Sequence, residues 1–351
     1  MSKIFCKKNK KRIFAVSLSF LLIIVAIGIY SYYKIYGSNV NIPENKESVF
    51  FYIKTGSDYN TVMKDIEEAG FLKDFLSFKI LTEITNYSNK IKPGKYQIKN
   101  GMSNKELLDM LIIGKQVPIK LTFNNIRTKE QLISRISHQI EADSLSLAKT
   151  FEKKELYESW GFDSINIIAM FIPNTYELYW NTSATQFFER MHKEYQEFWN
   201  SERLRKAEDM GLTPIEVTIL ASIVAMETKK TDEMSCIAGV YINRLKKGIP
   251  LQADPTIVYA NGDFSINRVL RKHLEIDSPY NTYKYKGLPP GPICLPEPVV
   301  VDKTLDYEKH DYLYFCAKDD FSGYHIFAKT PVEHSRNAAR YHSALNKRKI
   351  K

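Results

Sequence analysis

The hydrophobic period changes sharply along the chain. Residues 14–33, FAVSLSFLLIIVAIGIYSYY, are apolar or small almost without a break, and about 20 such residues cross a bilayer core. The polar stretch NVNIPENK at 39–46 separates them from shorter runs. VFFYIKT at 49–55 predicts a strand. A helix starts at Ser57 or Asp58 and runs through Glu68 to Gly70, and a second covers about Leu76 to Thr85. A short strand, Tyr96–Lys99, follows the turn at Pro93-Gly94. Ser103-x-x-Glu106 is a capping box opening a helix that Gly114 stops, and Val117–Phe123 reads as a strand. Thr128-x-x-Gln131 opens a mainly helical, aromatic-rich stretch over 129–200, broken by a turn at 171–177. The charged segment from Trp199 to Met210 reads as a connector.

Beyond Leu212 the pattern is again mixed. Thr213 caps a helix, Pro214 suits its first position, and Glu216 completes the capping box. Leu220, Ile223, Val224 and Glu227 fall at i, i+3, i+4 and i+7, so they share one face. A second helix covers about Asp232 to Lys247. A Pro/Gly-stiffened loop spans Asp277–Pro298; structureless loops this long are usually functional or disordered. A hairpin pairs Tyr312–Ala317 with Tyr324–Ala328, and Thr330-Pro331-Val332-Glu333 opens the last helix. The expectation is an α+β chain with these parts: a basic tail (1–12), a transmembrane helix (13–33), a linker (34–47), a small α+β module (48–124), a mainly helical connecting region (125–211) and an α+β catalytic domain (212–346).

Charge refines this picture. The 351 residues carry a formal net charge of +10. Part of it lies at the ends: Lys3, Lys7, Lys8, Lys10, Lys11 and Arg12 precede the apolar run, and Lys347, Arg348, Lys349 and Lys351 close the chain. Basic residues before the run place the N-terminus in the cytoplasm and the rest outside, with Tyr30, Tyr32 and Tyr33 at the outer interface. The rival reading is a cleaved signal peptide, but aromatics follow the run instead of a small-x-small site. Neither basic cluster is interleaved with aromatics, and no recognition-helix or RNP-like pattern occurs, so nucleic acid is not an expected partner. Cys6 falls on the cytoplasmic side. Cys236, Cys294 and Cys316 fall outside, and three cannot all pair with one another. No spacing suggests a metal site, and no Ser-His-Asp, P-loop, GxGxxG or HExxH pattern is present.

The chemistry-bearing candidate is Glu227, at the end of an inward stripe. Desolvation there raises a carboxyl pKa, and a protonated Glu in a cleft wall suits glycosidic bond cleavage. The plain alternative is a Glu that turns to solvent or caps a neighbouring backbone. Asp254 before Pro255 reads as an N-cap; a functional reading, compatible with that one, places Gln252 or Asp254 in the cleft to hold sugar hydroxyls or the acetamido group. Tyr280, Asn281, Thr282 and Tyr283 on the rigid loop suit sugar stacking and amide hydrogen bonds, and His325 on the hairpin is a further candidate.

ASIVAMET (221–228), AGVYINRLKKGIPLQADPT (238–256), SPYNTY (278–283) and GLPPGPI (287–293) resemble the signature blocks of the endolytic murein transglycosylases, the MltG or YceG-like family. Tyr312–Phe315 and Gly323–Phe327 resemble its C-terminal hairpin. The strand-helix-helix-strand order of the small module resembles LysM-type glycan-binding modules. The family's catalytic acid maps onto Glu227, while Ala225 stands where members often have another Glu. Asn174 replaces an Asp usual in the family segment that resembles 171–176. The resemblance implies cleavage of the MurNAc-GlcNAc β-1,4 bond in nascent peptidoglycan, with 1,6-anhydro-MurNAc formed and no cofactor. It also implies a single-pass protein of the cell (inner) membrane, with peptidoglycan synthases as candidate partners. A lysozyme-like hydrolase using Asp254, or a non-catalytic glycan-binding scaffold, are the alternatives.

Overall fold

A computed structural model describes residues 2–43 and 46–347, with side chains from residue 12 to residue 346. The N-terminal basic side chains before Arg12, Cys6 and the C-terminal basic cluster lie outside the described side chains. The fold is mixed α+β and divides into two compact units: the chain to Ile119 with Glu177–Asn181, and Lys120–Tyr176 with the chain from Thr182 onward.

In the first unit, α1 (Ser2–Tyr36) is one continuous helix. Its stretch Arg12–Tyr36 is long and apolar enough to cross a membrane, and none of it is buried. Then follow β1 (Ser48–Ile53), α2 (Tyr59–Ala69), α3 (Phe75–Ile84), β2 (Gly94–Lys99) and α4 (Asn104–Ile113). The boundaries have local causes. The Asp58 side chain caps α2, which Gly70 ends in the left-handed region at φ 65°. Asp74 caps α3, and the Ser103–Glu106 capping box opens α4. β1 and β2 pair antiparallel, with Phe51 opposite Tyr96 and both turned inward. Val40 and Ile42 join this core, and Val40 bridges Leu72. The expected polar linker is therefore built into the unit at these positions: two apolar residues in it find buried places that a composition reading overlooks. Residues 44 and 45 are outside the description.

The rest of the chain, which apart from Ile119 and the end of β4 is the second unit, runs β3 (Ile119–Phe123), α5 (Lys129–Ser137), α6 (Ser144–Glu152), α7 (Lys154–Glu158), β4 (Asn174–Leu178), α8 (Ala184–Phe198), α9 (Ser201–Met210), α10 (Pro214–Glu227), α11 (Met234–Lys246), α12 (Asp254–Asn261), α13 (Pro298–Leu305), β5 (Tyr314–Ala317), β6 (His325–Ala328) and α14 (Pro331–Lys347). β3 pairs with β4, and β5 with β6. Two expectations need correcting. The segment 171–177 is not a turn: from Asn174 it is strand, because Tyr176 and Leu178 bury on alternate positions while Thr175 and Glu177 stay exposed. The connector at Trp199–Met210 is a capped helix, α9. Its Ala207 and Met210 enter the core, and Arg203 grips Asp302 on α13 through two bonds of 2.7 and 3.0 Å. Its charge made it look solvated, yet one flank is a bidentate ion pair holding α13.

At the centre lies α10. Val217 through Val224 are all buried, so this helix is enclosed on every side rather than along one stripe. Its neighbours α9, α11, α12 and α13 supply the surrounding core.

Candidate active site

The full enclosure of α10 decides what Glu227 experiences. The Thr213 capping box and Pro214 set where the helix starts, and fourteen residues later its last turn delivers Glu227 to the edge of the core. The carboxyl group there meets α11. Tyr241, itself buried, donates its hydroxyl to Glu227 Oε1 at 2.5 Å. Burial pushes the Glu227 carboxyl up to about 7; the Tyr241 hydrogen bond works against this, and the nearby negative charge of Asp254 adds to it. The negative end of the α10 dipole acts in the same direction as burial.

Asp254 is the first residue of α12, not its cap. The cap position belongs to Ala253, and no side chain fills it. The Thr282 hydroxyl ties down the residue before the helix, accepting the Ala253 N–H at 3.0 Å. The Asp254 carboxylate accepts the Tyr283 hydroxyl at 2.5 Å.

Two hollows meet at these carboxylates. One, of about 440 Å³, is lined by Arg127, Tyr259, Phe264 and Arg268. The other, of about 490 Å³, is lined by Tyr241, Arg244, Gln252, Tyr283, Tyr314 and His325. Glu227 and Asp254 border both. The acid thus stands at the waist of a two-lobed cleft, with room for a polymer unit on either side.

The supporting parts explain this geometry. Arg244 is buried and donates to Leu251 O at 2.7 Å and to Gln252 Oε1 at 2.9 Å. This holds Gln252 at φ 52°, a left-handed conformation that a non-glycine residue rarely adopts unaided. His325 lines the second lobe while its backbone N–H donates to Glu233 Oε1 at 2.7 Å, and its Nδ1 lies 3.1 Å from Glu233 Oε2.

The structure separates the loop residues read as sugar contacts. Tyr283 lines the cleft. Asn281 is fully buried: its Nδ2 donates to the Leu274 and Ile276 carbonyls, and its Oδ1 accepts from the Tyr283 and Lys284 N–H groups. Thr282 is also buried, bonded to Ala253, Thr256 and Gln252. Both are staples of the loop and neither offers a free polar atom to the cleft. Tyr280 packs its ring 4.7 Å from that of Tyr259 and lines neither lobe. A Cβ on Gly291 would come within 2.8 Å of the Tyr280 hydroxyl, so glycine permits this contact. Ile293 and Cys294 bond back to Ser222 on α10, so the loop is a wall of the core. Cys236, Cys294 and Cys316 are unpaired. The segment 171–176 lines neither lobe.

Tyr241 and Arg244 escape a reading of the sequence alone. They lie three residues apart on one face of α11, and only their polar groups inside the apolar run AGVYINRL mark them. Arg127 is likewise far along the chain from the other lining residues.

Comparison with known proteins agrees with this architecture. The sequence profile of the YceG-like family matches residues 51–340. The endolytic murein transglycosylase of Bacillus subtilis (strain 168) is 29% identical over 343 residues, covering 90% of this chain and 91% of the relative. That of Streptococcus pneumoniae (strain D39) is 29% identical over 367 residues, covering 94% of this chain; the chain spans 65% of that relative's length. The crystal structure of a YceG-like protein from Listeria monocytogenes superposes with a TM-score of 0.55 at 28% identity, covering 83% of this chain and 99% of that one. With the matched profile running through both units and the whole cleft, the chain belongs to the YceG-like family.

Proposed function

We propose that this chain is an endolytic peptidoglycan lytic transglycosylase that cleaves the MurNAc-GlcNAc β-1,4 bond inside glycan strands. The observation that carries the reading is Glu227, a carboxyl group raised to about 7 at the waist of a cleft open on both sides. The names of the relatives agree with it.

The site's geometry orders the steps. Tyr241 occupies Glu227 Oε1 as a donor, so the carboxyl proton sits on Oε2. It passes to the glycosidic oxygen as that oxygen leaves the MurNAc anomeric carbon, where positive charge develops. Glu227 is then a carboxylate. Its bond from Tyr241 becomes charge-assisted and strengthens, which lowers the energy of the state in which the acid has lost its proton. The MurNAc C6 hydroxyl attacks the anomeric carbon, its oxygen forms the 1,6-anhydro ring, and its proton returns to Glu227. One carboxyl group therefore serves as acid and then as base. Asp254, Gln252, Tyr283 and His325 are proposed to hold the sugar on one side of the bond.

The same reading has α1 as a single-pass anchor of the cell membrane. The N-terminus lies in the cytoplasm and the chain after α1 lies outside, where nascent strands emerge from peptidoglycan synthases. The βααβ arrangement of the first unit is proposed as a LysM-like glycan contact. Mass analysis of sacculi digested with the protein tests the reaction. Products ending in anhydro-MurNAc, one water lighter than reducing ends, are expected. Reducing MurNAc ends would replace this reading with a hydrolase, and intact strands with retained binding would replace it with a scaffold.

A further inference from the structure

The inner side of α3 is complete, with Phe78, Leu81 and Thr82 buried. Its outer side is polar along one edge only. Leu76, Ile80 and Ile84, each four residues apart, are 65%, 48% and 77% exposed. At 100° per residue they form one edge of the exposed arc, while Lys79 and Glu83 form the other. Burying apolar side chains is favourable, so a row of three in water calls for a partner.

The neighbouring surface indicates which partner. The row borders a hollow of about 230 Å³ whose other wall is the end of α1, including Tyr30, Ser31, Lys34 and Ile35. The two helices are tied together there. Lys34 pairs with Asp74, the cap of α3, at 2.5 Å, and Asn104 Nδ2 donates both to Lys34 O and to Ser77 Oγ at 2.9 Å. These bonds fix α3 against the last turns of the apolar span. The span's own exposed side chains, Ile23, Ile24, Ile27 and Ile29 among them, have no protein cover. The apolar row on α3 continues that surface, and the exposed Lys73 and Lys79 beside it suit phosphate headgroups.

We propose that Leu76, Ile80 and Ile84 rest in the outer leaflet and that the groove between α3 and α1 takes a phospholipid acyl chain, so that the first unit is held flat on the membrane surface. This rests on the anchor reading of α1. The contact adds an interfacial apolar face to the span and fixes the height at which the unit sits.

The test uses the full chain in vesicles of phosphatidylglycerol and phosphatidylethanolamine. The photoreactive residue p-benzoylphenylalanine is placed in turn at Phe20, Ile80, Ile84 and Val332, and adducts are identified by mass. Phospholipid adducts at Phe20, Ile80 and Ile84, with none at Val332, are expected. Adducts at Phe20 alone would overturn the inference and leave the anchor standing. Loss of the Phe20 adduct would overturn the anchor and the inference with it. Cross-links between copies of the chain at Ile80 or Ile84, in place of lipid, would assign the row to self-association. Equal adducts at all four positions would show no particular face in contact and also overturn the proposal.

Discussion

The cleft holds two carboxylates, each accepting a tyrosine hydroxyl at 2.5 Å: Glu227 from Tyr241 and Asp254 from Tyr283. The pairs are chemically alike and differ in setting. Tyr241 is 1% exposed and Glu227 ends a helix buried on all sides. Asp254 is exposed at the start of α12. A tyrosine donor by itself lowers a carboxyl pKa. At Glu227 burial outweighs it, and the proton is held near neutral pH. The difference teaches that enclosure by the core, rather than the hydrogen-bond partner, selects the acid.

The sharpest way to break this comparison is Glu227→Gln. Gln keeps the shape and can still accept from Tyr241, but it has no proton to give. A loss of about 10²–10⁴-fold in the cleavage rate is expected, with glycan binding retained, measured by release of anhydro-muropeptides. Activity above a tenth of wild type would remove Glu227 from its proposed role.

Tyr241→Phe tests the partner. It removes the one interaction that lowers the Glu227 pKa, so that pKa moves above about 7. The alkaline limb of the kcat/KM profile, where the free enzyme loses its acid proton, should then shift to higher pH. The rate at the optimum should fall by about 10–100-fold, because a hydrogen bond to a charged group is worth about 1.5–3 kcal/mol. An alkaline limb that moves down would contradict the arrangement.

The same substitution at Glu227 has a stability consequence. A carboxyl raised from 4.5 to about 7 binds its proton more tightly in the folded state. Its contribution is therefore full below pH 4.5 and is lost as pH rises through about 7. Gln carries no such loss, so Glu227→Gln should be more stable than wild type at pH 8 and should gain little at pH 4. Because the side chain is partly exposed, about 1–3 kcal/mol is the expected difference at pH 8, read from urea unfolding. Equal stability at both pH values would mean that the carboxyl is not desolvated.

Asp254→Asn should have the smallest effect, below about tenfold on rate, since Asn still accepts from Tyr283 and can still hydrogen-bond sugar. Comparable inactivation by Asp254→Asn and Glu227→Gln, with both variants folded by circular dichroism, would shift the proposal to a hydrolase with Asp254 as second carboxylate.

Much of this was legible in the residues. The capping boxes at Ser103, Thr213 and Thr330 are local, three-residue interactions, and each opens a helix where its spacing indicates. Gly70 and Gly114 end helices for an equally local reason. Glu227 on an inward stripe was readable because helical periodicity carries a residue's side of the helix. Less readable were β4, whose five residues alternate too briefly beside a Pro-Asn pair, and α9, whose charges conceal an ion pair 99 residues away. The loop 277–298 was legible as important, but not which residues face inward. Asn281 looked like a sugar-binding amide and is a buried staple, because amide groups satisfy backbone carbonyls as readily as hydroxyls of a ligand.

By itself the sequence determined the elements whose causes lie within a few residues: the apolar span, the caps, the helix ending in Glu227 and the hairpin that carries His325. The tertiary structure alone decided that α10 is enclosed on all sides, that Tyr241 reaches Glu227 from another helix, and that Arg244 holds Gln252 at the cleft. It also placed Asp254 inside the helix start, with its carboxylate against the Tyr283 hydroxyl. Caps and periods follow from short-range sterics and hydrogen bonds. A carboxyl group's proton affinity depends on everything that excludes water around it, and those atoms come from segments the sequence lists far apart.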